Sequence, residues 1–189
     1  MNCYPNLKKI VLASASPRRR ELLSTLGLKF SVEVPQIDES ARPGEAARPF
    51  VERLAAEKAK AIAADPATTL IAADTIVVLD GTILGKPSNE AHALQMLTRL
   101  SGQSHEVITG VCVRKGKHLS VFSVVTEVVF RTLEEEEIRA YIASGCPMDK
   151  AGAYAIQGGA AHMVRGIQGS YTNVVGLPLC ELHETLSTL

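Results

Sequence analysis

Apolar positions along the chain follow two rhythms, one unbroken and one helical, and they alternate from start to end. Leu7 to Ala13 is a branched apolar run that predicts a buried strand. Pro17 then opens a helix with Leu22, Leu23 and Leu26 on one face and Gly27 as its stop. A short strand, Phe30 to Val34, leads into the polar stretch Pro35 to Glu45, which has Pro and Gly but no period and reads as a loop lying over something. Val51, Leu54, Ala55 and Ile62 mark the inner stripe of the next helix.

The second half begins with a strand over Thr69 to Leu79, a hairpin signal at Asp80-Gly81 and a return strand at Ile83-Leu84. Ala93, Leu94, Leu97 and Leu100 define a helix ended by Gly102. Two long β-rich runs, Glu106 to Arg114 and Leu119 to Phe130, flank a turn at Lys115-Gly116. Thr132 with Glu135 predicts a capping box for a helix ending near Gly145, and Pro178 opens a last helix. Helices interleave with strands, yet the hairpins require antiparallel pairing. The fold class expected is therefore α/β, a mixed twisted sheet with flanking helices, in one domain spanning 1–189.

Composition narrows the function. The chain has 189 residues, 46% of them hydrophobic, enough to bury a real core. Its 20 basic and 20 acidic side chains cancel, so any anion must be held by a local cluster, and with only 4% aromatic residues there is little for backbone tracking or base stacking. A stable nucleic-acid partner is not expected. Cys3, Cys112, Cys146 and Cys180 are scattered, without a C-x-x-C pair or zinc spacing, and predict reduced thiols in a cytoplasmic protein. The Lys8-Lys9 start only loosely mimics a signal peptide, since its apolar stretch is short and Arg18-Arg19-Arg20 follow at once; no run approaches a membrane span.

Four places carry candidate chemistry. Ser14-Ala15-Ser16-Pro17-Arg18-Arg19-Arg20 sits where a strand gives way to a helix: Ser16 can cap it, free amides point outward and the arginines add bidentate phosphate donors. An ordinary Ser-Pro helix start with solvated arginines has the same sequence, and no Walker loop exists in the chain. Asp74, in Ala72-Ala73-Asp74-Thr75, places an acid in an apolar strand pattern, costly unless it meets a metal, a cation or a donor; a strand-end acid facing solvent is the alternative. Asp38-Glu39 add carboxylates, or simply charge a surface loop. Paired oxygens of this kind suit Mg²⁺ or Mn²⁺.

Lys58 lies four residues from both Leu54 and Ile62, on or near the inward stripe of its helix, where a long stem can also snorkel to water. Lys86 stands between Gly85 and Pro87. The last cluster, Asp149 to Gly159 and then Gly169 to Asn173, offers small residues, Gln157 and two tyrosines, Tyr154 and Tyr171, from which a base pocket can be built, although glycine-rich loops are routine. No G-x-S-x-G occurs, and the five histidines form no constellation with Ser or Cys, so metal-assisted hydrolysis suits the inventory better than nucleophilic catalysis.

Taken in order, these segments resemble the Maf family: SASPRR at Ser14 to Arg19, IDE at Ile37 to Glu39, EKA at Glu57 to Ala59, AADT at Ala72 to Thr75, LGKP at Leu84 to Pro87, LSG at Leu100 to Gly102, DKAGAY followed by IQG, and NVVGLP at Asn173 to Pro178. The resemblance covers nearly the whole chain. It implies a mixed α/β fold with a cleft between two lobes, shared with inosine triphosphate pyrophosphatases, usually a homodimer, and hydrolysis of a nucleoside triphosphate substrate to the monophosphate and pyrophosphate. The branch acting on dTTP and UTP carries residues matching Arg18, Thr75 and Gln157, whereas the branch preferring 7-methyl-GTP differs at all three.

Carried over by resemblance, Asp74 is the proton acceptor, Glu39 helps it hold a divalent metal, and Lys58, Arg18, Arg19 and Lys86 clamp phosphates, with Ser14 contacting phosphate at the turn. Ala155, where relatives often have Gly, and Thr172 depart from the pattern without touching a charged group. A non-enzymatic nucleotide sensor acting on septum formation is the competing reading, opposed by the retention of every charged catalytic position.

Overall fold

A computed structural model describes Tyr4 and residues 7–189; Cys3 lies outside the described residues. Seven strands, β1 (Lys9–Ala13), β2 (Ser31–Glu33), β3 (Thr68–Leu79), β4 (Thr82–Leu84), β5 (Ser104–Lys115), β6 (His118–Phe130) and β7 (Val164–Gln168), form one sheet in the order β2-β1-β3-β5-β6-β7, with β4 paired to β3. Six helices accompany them: α1 (Pro17–Ser24), α2 (Ala47–Ala61), α3 (Glu90–Leu100), α4 (Glu135–Ala143), α5 (Tyr171–Val175) and α6 (Leu179–Ser187). Pairing is parallel between β1 and β2 and between β1 and β3, and antiparallel between β3 and β4 and between β6 and β7, so the sheet is mixed as expected. No helix among the described residues is long and apolar enough to cross a membrane.

The chain divides into two compact units, Met1–Asp74 with Thr109–Val124 and Gly176–Leu189, and Thr75–Ile108 with Val125–Val175. β3 contributes to both, Asp74 closing the first and Thr75 opening the second.

In the first unit, α2 buries Phe50, Val51, Leu54, Ala55, Lys58 and Ala59, pairs spaced four apart that make one stripe. Ala55, Ala59 and Ile62 pack on Val11, Ala13, Leu70 and Ala72 of β1 and β3 and on Cys112 of β5. Small side chains on both surfaces let helix and sheet approach closely. The approach is tightest at Gly110, where a Cβ would lie 2.4 Å from the Val51 carbonyl oxygen, a backbone atom that cannot swing aside. Any side chain there must push α2 off the sheet.

In the second unit, α3 and α4 pack Leu97, Leu100 and Ile138 against Phe130 and Met163. The hairpin turn at Asp80-Gly81 has positive φ at both residues, 49° and 73°, the geometry that matches strand twist. The capping box of α4 is Glu134 with Glu137 rather than Thr132 with Glu135. Glu137 is fixed there because Arg131 grips its carboxylate through two bonds, 2.8 and 2.6 Å, while the Glu134 amide donates to it at 2.8 Å. β7 and α5 fall in a stretch without the expected apolar periodicity, since four of the five β7 residues are exposed.

A polar contact lies inside this core. His105 is almost fully buried, and its Nε2 sits 2.8 Å from the Tyr154 hydroxyl, while the two rings and Phe130 make edge-to-face contacts with centroids 4.8 to 5.4 Å apart. Tyr154 therefore belongs to the core and is not available to a base pocket. Burial pushes the His105 imidazole down to about 4, so it stays neutral when folded but binds a proton near its ordinary value when unfolded. Stabilisation from the neutral form is complete above about pH 6.5 and is lost as pH falls toward 4, a difference of about 3 kcal/mol. Urea denaturation at pH 7.5 and 5 should show the wild-type protein losing more stability on acidification than His105→Gln; equal losses would mean that His105 titrates normally.

Candidate active site

Strand β1 ends at Ala13, and the chain turns into α1 through Ser14 and Ser16. Ser16 caps the helix by accepting from the Arg19 amide at 3.4 Å, and Pro17 occupies the first turn, where a missing N–H costs nothing. The buried Ser14 Oγ accepts from the Ser16 amide at 3.2 Å and from Arg19 Nη1 at 3.4 Å. Arg19 also donates from Nε to the Gly176 carbonyl at 2.8 Å, tying the first motif to the last. Burial lowers the Arg19 guanidinium from its ordinary value, and the charges of Asp74 and Glu39 oppose that pull while Arg18 adds to it. Ser14, Arg19, Asp74 and Glu39 thus share one electrostatic neighbourhood.

Its centre is Lys58. The Nζ donates to Asp74 Oδ1 at 2.6 Å and lies 2.7 Å from Glu39 Oε1. Lys58 and Asp74 are buried, at 8% and 9% exposure, whereas half of the Glu39 side chain is open to solvent. The inward stripe of α2 puts the ammonium under β3, and the apolar β3 delivers a carboxylate to meet it. Neither charge could be held there alone, because removing an ion from water costs several kcal/mol unless a partner compensates. Asp38 does not join the group: it is exposed, and Ser40, through its side chain first and then through its amide, which donates to Asp38 Oδ1 at 2.9 Å, draws its carboxyl down. Arg18 is half-buried beside Arg19 in α1.

In the second unit, Thr75 follows Asp74 in β3 and is half-buried, while Lys86 and Gln157 are exposed. The segments carrying the last two are linked by the Gly152 amide, which donates to the Gly85 carbonyl at 3.0 Å. Among the described residues no group of three or more His, Cys, Asp or Glu is set to hold an ion. Asn173, grouped by the sequence with the glycine-rich cluster, is fully buried, and its Nδ2 donates to the Val107 carbonyl at 3.0 Å and Thr126 Oγ1 at 2.9 Å. An amide in a short polar helix gives no sign that its partners are strand residues sixty-six and forty-seven positions away.

The profile of the family described as Maf-like protein fits residues 9–189. The chain belongs to the Maf-like protein family. A relative from Geobacter sulfurreducens named dTTP/UTP pyrophosphatase is 60% identical over 181 residues, spanning 94% of this Maf-like chain and 95% of its own. Another of the same name, from Escherichia coli O157:H7, is 51% identical over 183 residues, 96% and 93% of the two chains. Among solved structures, a HAM1 protein from Coxiella burnetii superposes with a TM-score of 0.52 at 18% identity, covering 96% of this chain and 99% of that one, a likeness of fold.

Mutual dependence of the buried charges in this Maf-like protein is open to test. Lys58→Met should lower stability by about 3 kcal/mol in urea denaturation, because Asp74 is left buried and unpaired. Adding Asp74→Asn should recover most of that loss, and additive effects would show that the two charges are independent.

Proposed function

We propose that this protein hydrolyses the bond between the α- and β-phosphorus of dTTP and UTP, releasing the nucleoside monophosphate and pyrophosphate. The observation that carries the reading is the Lys58 ammonium held at 2.6 and 2.7 Å by Asp74 and Glu39, beside a turn rich in phosphate donors. The names of the relatives at 60% and 51% identity support the same substrate and the same cut, and with it a role in clearing nucleotide pools.

In this reading Asp74 accepts the proton of a water whose oxygen forms a bond to the α-phosphorus while the bridging oxygen leaves with pyrophosphate. Lys58 holds the Asp74 carboxylate in place through its 2.6 Å bond. Ser14 binds phosphate at the turn, and Arg18, Arg19 and Lys86 offset the charge that grows on the leaving group. Asp74 and Glu39, the two carboxylates that share the Lys58 ammonium, would hold Mg²⁺ or Mn²⁺, ions that bind through one or two carboxylates together with substrate phosphates. Such an ion, when bound, neutralises phosphate charge and raises the acidity of bound water. Thr75 and Gln157 read the pyrimidine, since a polar group left unpaired by the wrong base penalises that base. The free thiols of Cys112, Cys146 and Cys180 support a reducing, cytoplasmic setting, and a homodimer is part of the same proposal.

Assayed across a nucleotide panel with Mg²⁺ or Mn²⁺, the protein should release pyrophosphate, with thymidine monophosphate the sole nucleotide product from dTTP; orthophosphate as the first product would refute the cut. Asp74→Asn should fold and lose on the order of a hundredfold to ten-thousandfold in rate. Wild-type turnover in that variant would remove Asp74 from the mechanism.

Base recognition has its own signature. Gln157→Ala should narrow the gap between pyrimidine and purine triphosphates in kcat/KM; equal factors on dTTP and GTP would make Gln157 a phosphate-side or structural residue.

A further inference from the structure

Glu39 lies in a stretch without helix or strand, running from Val34 to Ala46, and a half-exposed ion pair is worth only about 0–1 kcal/mol. Its bond to Lys58 is too weak to order that stretch. Arg53 supplies a stronger hold. It stands on α2 five residues before Lys58, and its guanidinium grips Glu45 through two bonds of 2.6 Å, Nε to Oε1 and Nη2 to Oε2. Nη1 donates to Glu57 Oε2 at 3.1 Å, and Nη2 donates a second time to the Ser40 carbonyl, also at 3.1 Å. Ser40 is the residue after Glu39.

The side chains of Arg53 and Glu45 are only 14% and 10% exposed, far less than that of Glu39. Glu45 closes the far end of the stretch by accepting from the Arg42 amide at 3.0 Å, and the Arg53 bonds pull its carboxyl down to about 2, so the clamp stays charged at any working pH. A planar fork engages two carboxylates and a carbonyl at once; the point charge of a lysine cannot.

We propose that Arg53 is a positioning residue: by clamping Glu45 and the Ser40 carbonyl to α2, it fixes Glu39 against Lys58 of the same helix. The inference rests on the pyrophosphatase reading and adds to it the device that orders the second carboxylate. Arg53 reaches the reacting atoms only through Glu39, and a double-mutant cycle measures that dependence.

Pyrophosphate release from dTTP would be followed for the wild-type protein, Arg53→Lys, Glu39→Gln and the double variant, with thermal melts of each. Arg53→Lys should lower kcat about tenfold, the scale of a small misplacement, and change KM for dTTP by less than about twofold. In the Glu39→Gln background the same substitution should change kcat by less than about twofold. A general structural defect would instead lower kcat by the same factor in both backgrounds, and that result, or wild-type kcat in Arg53→Lys, overturns the inference. Should Arg53→Lys fail to fold, Glu45→Gln takes its place with the same two outcomes. A wild-type protein that releases no pyrophosphate from dTTP or UTP overturns the activity and the inference together, whereas an active one with equal factors overturns the inference alone.

Discussion

A lysine ammonium buried beneath a sheet is tolerable only while anions surround it, and much of the first unit is arranged around that demand. Lys58 reaches its place because α2 turns one stripe inward, and the stripe can approach β1 and β3 because Ala55 and Ala59 present almost no side chain. Asp74 is the reciprocal case, a charge that an apolar strand carries into the core as far as the ammonium. Each offsets the cost of burying the other. The loop carrying Glu39 then has a fixed target, and the Arg53 clamp holds it to the helix that supplies that target.

The same constraint governs where a chain with no net charge places its cations. Twenty charges of each sign leave no long-range field, so attraction must come from where the cations stand. Arg18 and Arg19 stand at the start of α1, whose free amides add partial positive charge, and Arg19 is fixed by Ser14 and the Gly176 carbonyl. A guanidinium already ordered in this way would lose little further freedom on meeting an anion.

Much of this was legible in the sequence because it depends on local rules. Ser16 before Pro17 is a cap in any context, Asp80-Gly81 sets a hairpin, and an inward lysine shows itself by its distance from Leu54 and Ile62. What escaped depends on distant partners. β7 is an exposed strand and so lacks alternating apolar residues; the α4 box moved by two residues because Arg131 holds Glu137. Tyr154 looked like a pocket residue until His105, forty-nine positions away, accounted for its hydroxyl. Arg53 drew no reading at all, since nothing local says that Glu45 and Ser40 fold back over it.

Gly110 has a consequence for how such a scaffold diversifies. With the Val51 carbonyl pressed against it, the depth at which α2 sits is set by the absence of a side chain on β5. The height of Lys58 above the sheet is set with it. Mutational drift is therefore confined in this unit, because almost any replacement at one silent position would shift a charged group several residues away along a rigid helix. The exposed position of Gln157 carries no such restraint on its side chain.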